Sequence, residues 1–383
     1  MVDRPFWQGR VLEAWREAPV AWLAGVRRAG KTTLARSISG PDALYLNCDL
    51  PAVVERSRDP ELLFRDARGR VVVFDEVHQL EDPARVLKVG ADVFPGTRIL
   101  ATGSSTLAAS QKFRDTLAGR KRMVHLVPVL WDELGAFGAS LEDRLLRGGW
   151  PPALMASPPP PSFYREWMDS FFARDVQRLF GFRDFARFND CLEYLLRQSG
   201  GPWELSRAAA TLGVARATVE NHVRAMEVTH AVTLVRPFHG GGQAEIVKQP
   251  KAYGFDTGFV CFAKGWDTLR AEDKGLLWEH CVLETLLARF PQAHIRYWRD
   301  KAGREVDFVI PAGRDRVDVV ECKWNAARFD PEAVRVFRGH YPQGRNYLVT
   351  PSADPAHARR WGDVEMEVCN PSALGAVNRA GKD

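Results

Sequence analysis

A chain of 383 residues, 45% apolar and 26% charged, is too long for a single hydrophobic core and too apolar to be disordered. Its net charge of +5 permits contact with nucleic acid without demanding it, so local clusters must decide. Six scattered cysteines without metal-ligand spacing point to a reducing cytoplasm, and no apolar stretch approaches the ~20 residues that span a bilayer, which excludes a membrane-spanning protein.

Up to about Leu134, short apolar runs alternate with helix-period segments, the rhythm of a parallel sheet covered by helices. Strands are expected at 20–24, 43–47, 71–75 and 98–102. The first leads into Gly25-Val26-Arg27-Arg28-Ala29-Gly30-Lys31-Thr32, a G-x-x-x-x-G-K-[ST] loop between a strand and a helix. Such a loop turns successive N–H groups toward phosphate oxygens, and the following helix adds its positive end. Gly25, Arg28, Ala29, Gly30, Lys31, Thr32 and Thr33 are therefore expected to bind ATP. Lys31 neutralises the β and γ phosphates, and the Thr32 hydroxyl takes a Mg²⁺ position.

The apolar run Val71-Val72-Val73-Phe74 delivers Asp75 to a strand end, where a carboxylate can hold the same Mg²⁺, and Glu76 can polarise the attacking water. Thr102-Gly103-Ser104-Ser105 ends a further strand in hydroxyls. Ser104 there either senses the γ-phosphate or belongs to a turn and N-cap. Arg120, in a basic stretch with Arg114, Lys121 and Arg122, is either an arginine presented to a neighbouring copy's phosphate or a solvated surface charge.

Pro151-Pro152 and the prolines 158–161 form a stretch that cannot continue a helix or a sheet, and so mark a boundary. The expected division is an ATPase domain over 1–160, a helical and winged-helix module over 161–270 and an α/β domain over 271–383. In the middle module a helix capped by Ser206, a turn at Gly213 and a second amphipathic helix follow the helix-turn-helix plan. Strands at 233–236 and 245–248 would make its wing. Arg216, Thr218, Asn221 and His222 would face double-stranded DNA, although winged helices also serve as protein docking units.

From about Gly275 a helix carrying Glu279 precedes three strands, a helix near Val336 and a strand at 347–350. Glu321 and Lys323 alternate with Cys322 and so share a face, and Asp307 can lie beside them if the neighbouring strands pair in register. Arg296, Arg299, Lys301 and Arg304 cluster on the preceding hairpin, as a phosphate-contacting surface or as a solvated edge.

The order of these motifs, through Ala118-Gly119-Arg120 and Val127-Pro128-Val129-Leu130-Trp131-Asp132-Glu133-Leu134, resembles the prokaryotic AAA+ family whose members carry a C-terminal DUF4143 region. The resemblance spans nearly the whole chain. It implies an ATPase, with Arg120 at the position of the family's arginine and hence a homo-oligomer whose copies complete one another's sites. The family's Asp-Glu-Ile-Gln is here Asp75-Glu76-Val77-His78, so His78 departs from it.

The DUF4143 region resembles the PD-(D/E)XK nuclease fold, a restriction-endonuclease-like α/β domain. That implies a metal held by Asp307 and Glu321, with Lys323 and Glu279 completing a catalytic set. Two readings result. One is an ATP-hydrolysing protein that acts on DNA with a metal-dependent nuclease domain. The other is an ATP-dependent switch that docks a protein partner with that domain inactive. A transcription regulator using only the winged helix is a third.

Overall fold

The computed structural model describes the chain apart from residues 1, 41, 68, 104–110, 157–158, 241–248, 291–293, 314–315, 354 and 376–383 and the side chains of 111–112, 178–179 and 375. Two compact units emerge, each discontinuous in sequence. One is Met1–Val127 with Glu166–Arg183 and Val228–Ala231; the other is Pro128–Arg165 with Asp184–Glu227 and Val232–Asp383.

In the first unit the apolar runs form β1 (Val20–Ala24), β2 (Leu44–Asn47), β3 (Val72–Asp75), β4 (Ile99–Thr102) and β5 (Lys121–His125). They pair in the order β2-β3-β4-β1-β5, every neighbour parallel. β1, β3 and β4 are buried along their whole length. Strands covered on both faces need no polar side, which is why these read as unbroken apolar runs. Helices Pro5–Glu17, Pro51–Arg56, Pro60–Asp66 and Pro83–Val93 all open on proline, whose missing N–H costs nothing in a first turn. The parallel order brings the carboxyl ends of β3, β4 and β1 side by side, and there the functional loops emerge.

The second unit holds β6 (Val232–Pro237), β7 (Lys251–Gly254), β8 (Arg296–Arg299), β9 (Glu305–Pro311), β10 (Val317–Cys322), β11 (Asn346–Val349), β12 (His357–Trp361) and β13 (Val364–Cys369). They form one mixed sheet ordered β12-β13-β11-β10-β9-β8-β6-β7. Trp298 and Phe337 meet edge to face, 5.5 Å between ring centroids, in the core under helix Glu332–His340. The hairpin β12–β13 had no counterpart in the sequence reading. Its outer strand leaves His357, Ala358, Arg359 and Arg360 in solvent, so no apolar alternation announces it.

Several local expectations change in three dimensions. Pro151 and Pro152 do not interrupt a helix; they begin one, Pro151–Met155, at its first two positions. The helix-turn-helix pair is present as Leu205–Leu212, a left-handed Gly213 and Arg216–Val228, but Ser206 lies inside the first turn while Glu204 occupies the N-cap without a side-chain bond. His222, expected to face a nucleic acid, is buried with its ring 5.3 Å from that of Phe188, on the same inward stripe as Val219, Val223 and Met226. The wing strand expected at 245–248 lies outside the described residues. β6 pairs antiparallel with β7 and parallel with β8, so this hairpin continues the C-terminal sheet.

A buried ionic node ties the second unit together. Arg144 donates to the Val129 carbonyl at 2.7 Å, to the Thr257 hydroxyl at 3.0 Å and to the Glu284 carboxylate. Beside it Asp256 accepts the amides of Gly149, Trp150 and Gly258, each at 2.8 Å. All three charged groups are removed from water, so each needs these partners to remain ionised.

Candidate active sites

Strand β1 ends at Ala24, and the chain turns at once through Gly25, whose φ of 147° no side chain tolerates well. A Cβ there would also stand 2.5 Å from the Leu126 carbonyl oxygen, so the turn needs glycine twice over. Gly30, at φ 97°, is the N-cap of helix Lys31–Ile38 and offers no capping side chain. The first-turn N–H groups of that helix therefore face the loop without a side-chain acceptor, the electrostatic setting that favours phosphate. The Lys31 ammonium donates to the carbonyls of Gly25 at 2.9 Å and Val26 at 3.0 Å. Burial lowers the Lys31 pKa, while Glu76 and Asp175 work the other way. Ala29 is buried, whereas Arg28 and Thr33 are exposed.

Three hydroxyls converge on the buried Asp75. Thr102 donates to Oδ1 at 2.6 Å, Thr32 to Oδ1 at 3.2 Å and Tyr45 to Oδ2 at 2.6 Å. Burial and this contact with Asp75 push the Tyr45 phenol up to about 12, so it stays a donor. The Thr102 hydroxyl is committed to Asp75 and to the Glu76 amide, which donates to it at 3.0 Å. Glu76 itself sits at φ 58°, a strained conformation for a residue with a side chain. It brings its carboxylate to 3.3 Å from His78 Nδ1. Burial raises the Glu76 pKa, with Lys31 opposing it.

Hard oxygens from Thr32 and Asp75, already within hydrogen-bond distance of each other, suit Mg²⁺, which prefers one or two protein ligands and keeps several waters. Ser104 lies outside the described residues. Arg120 is engaged by its own chain, Nε 2.5 Å from Asp92 Oδ1 and Nη2 3.0 Å from Oδ2. Arg4 was not anticipated; it is buried and donates to the Ala29 carbonyl at 3.3 Å, bracing the loop from outside the motif.

In the second unit Asp307 on β9 and Glu321 on β10 meet at Lys323, whose ammonium lies 3.1 Å from the first and 2.9 Å from the second. Asp307 also accepts the Cys322 amide at 2.8 Å. Burial opposes the Lys323 charge, yet the two carboxylates outweigh it and hold the pKa above the ordinary lysine range. Burial and Asp307 together push Glu321 up, and its Oε1 is buried with no hydrogen-bond partner. Glu279 is not on Lys323. It is held by Lys251 at 2.6 Å and by the Tyr253 hydroxyl, and Lys251 also reaches Glu305 at 2.9 Å. Lys251, Tyr253 and Glu305 were missed because their meeting is set by the pairing of β6 with both β7 and β8, not by spacing in the chain.

Among the described residues no group of three or more His, Cys, Asp or Glu side chains is arranged to hold a metal ion. A divalent ion here would rest on Asp307 and Glu321 alone, and the unpartnered Glu321 Oε1 fits such a role. Two of the four hairpin cations have acidic partners: Arg304 pairs with Asp300 and Glu332, and Arg299 stands 3.8 Å from Glu305. No helix among the described residues is long and apolar enough to cross a membrane.

Comparison with known proteins matches three successive segments of the chain. Residues 17–135 match the family model described as an AAA domain, residues 138–270 a domain of unknown function (DUF8612) and residues 274–366 a second one (DUF4143). Uncharacterized proteins of Mycobacterium tuberculosis and Mycobacterium bovis are each 29% identical over 321 residues, covering 81% of this chain and 71% of theirs. Among solved structures, a RuvB variant of Thermotoga maritima aligns over 61% of this chain and 90% of its own at 17% identity, with a TM-score of 0.32. The replication initiator DnaA, bound to AMPPCP and single-stranded DNA, aligns over 58% and 86% at 13% identity, with a TM-score of 0.29. Thus the phosphate-loop segment is similar to the AAA domain, and the segment bearing Asp307, Glu321 and Lys323 to DUF4143.

Proposed function

We propose that the chain binds ATP with Mg²⁺ at the phosphate loop and hydrolyses it, and that nucleotide state governs a DNA-acting second unit. The observation that carries the ATP reading is the Thr32 hydroxyl 3.2 Å from Asp75, with Lys31 and Glu76 beside them. Bound Mg²⁺ would neutralise charge on the phosphate oxygens, held by Thr32 and Asp75. Lys31 exchanges two loop carbonyls for phosphate oxygens, the loop amides bind the remainder, and Glu76 takes the proton of the attacking water. Titration calorimetry with ATP and Mg²⁺ tests this: wild type binds and Lys31→Ala does not. A wild-type chain with no affinity for any nucleoside triphosphate removes the reading.

In the second unit Asp307 and Glu321 would hold a divalent cation while Lys323 orients water for attack on a phosphodiester, with Glu279 alongside. Support comes from the convergence of both acids on Lys323 and from the unpartnered Glu321 oxygen. Exposed Arg216 and Asn221 on helix Arg216–Val228, with half-buried Thr218, suit contact with double-stranded DNA. Metal-dependent nicking of plasmid DNA, lost in Asp307→Ala and Lys323→Ala, is the expected result. The competing reading is an ATP-dependent switch that docks a protein partner. It is favoured by Lys323 already neutralising both acids, and it predicts no Asp307-dependent nicking.

A further inference from the structure

The first unit includes a segment far from the phosphate loop in sequence, Glu166–Arg183, which lies outside the 17–135 match to the AAA domain. It packs on the loop at two points. The Trp167 indole donates to the Arg27 carbonyl at 3.0 Å, and Asp175 Oδ2 stands 3.9 Å from Arg27 Nη1. That separation is too long for a hydrogen bond. Asp175 Oδ2 and Arg27 Nε are both buried and have no hydrogen-bond partner, so the pair is held close without being completed. Asp175 lies in the π-helical turn Phe172–Val176, a rare geometry found frequently at functional sites. Its negative charge also favours the charged form of Lys31, against the burial that lowers the Lys31 pKa.

A carboxylate beside Arg27 offers the loop negative charge of the kind a phosphate would bring. We infer that Asp175 is a residue of the triphosphate site: in the nucleotide-free chain it supplies the counter-charge to Arg27 and Lys31 that ATP takes over, and it thereby sets ATP affinity. The inference rests on the ATP reading above. Triphosphate and Asp175 repel each other, so binding must release the 166–183 segment from Arg27.

The test pairs calorimetry with hydrogen exchange on the full chain, using the non-hydrolysable analogue AMPPNP with Mg²⁺. Asp175→Asn should bind the analogue about three- to tenfold more tightly than wild type, as expected for removal of one nearby like charge. Asp175→Glu, which keeps the charge, should bind as wild type does. Amides of 166–183 should exchange faster when wild type binds the analogue, and should already exchange faster in nucleotide-free Asp175→Asn. Asp175→Ser carries the same expectation if the asparagine variant does not fold. Equal or weaker binding by the neutral variants overturns the inference alone. Wild type that binds no better than Lys31→Ala overturns the ATP reading and this inference with it, and the nucleotide-free exchange rates tell the two failures apart.

Discussion

Thr102 donates its hydroxyl to Asp75 at 2.6 Å and accepts the amide of Glu76 at 3.0 Å, so one side chain on β4 fixes both acids at the end of β3. Asp75 and Glu76 are adjacent in the chain, and in the proposed reaction they would have different tasks, one toward the metal and the other toward water. Because Glu76 adopts a left-handed backbone conformation, the strand stops abruptly and the two carboxylates diverge.

Thr102→Val keeps the shape and removes the hydroxyl. Turnover of ATP is expected to fall about ten- to hundredfold, since misplacement of a catalytic group has that scale of effect. Nucleotide affinity should change little. The first unit should lose about 1–3 kcal/mol of stability, because the buried Glu76 amide and Asp75 oxygen lose a partner. Steady-state kinetics and calorimetric melting measure the two effects separately.

Glu76→Gln should retain nucleotide binding while hydrolysis falls by about 10²–10⁴. Burial raises the Glu76 pKa, so in wild type the acid limb of the turnover profile should lie above the ordinary carboxylate range. Only the ionised base accepts a proton, so turnover rises with pH through that limb. The stability contribution runs the other way: a carboxyl whose folded pKa is raised stabilises fully below its unfolded pKa, and this is lost as pH rises through the folded value. Glu76→Gln should abolish that slope in pH-dependent melting.

Arg144→Ala leaves Glu284 and Asp256 without their buried counter-charge, and a loss of about 3–5 kcal/mol is expected in the second unit. The double variant Arg144→Met, Glu284→Leu should recover part of it, because removing both charges also removes their desolvation cost. Local hydrogen exchange in helix 271–289 would report the difference, and additive losses would contradict it.

Arg120 gives a test of assembly. If it completes the site of a second copy, ATP turnover per subunit should rise with protein concentration, and Arg120→Ala should remove the rise. Asp92→Asn weakens the pairing that holds Arg120 on its own chain, so it should shift the rise to lower concentration. Turnover independent of concentration, and equal in all three proteins, leaves Arg120 as a surface ion pair.

The phosphate loop and the Asp75-Glu76 strand were legible because each is a contiguous stretch whose chemistry depends on neighbours within a few residues. The same holds for the parallel strands, whose burial on both faces demands unbroken apolar runs; three of the four begin one residue later than their pattern suggested. The meeting of Asp307, Glu321 and Lys323 was half legible: alternation put two on one face, and strand pairing brought the third to them. Edge strand β12 was illegible because an exposed strand carries no apolar signature, and inward-facing His222 because a polar side chain gives no sign in the sequence of which face it occupies.

What the amino-acid order determined by itself was therefore local: a loop shaped for phosphate, an acidic strand end, helices begun by proline. Only the tertiary structure decided that Tyr45 and Thr102 hold Asp75, that Lys251 rather than Lys323 holds Glu279, and that Asp175 lies against the phosphate loop. These pairings join residues 27 to 148 positions apart. At such separations no periodicity records a contact; it exists only once sheet order and helix packing have brought the two backbones together.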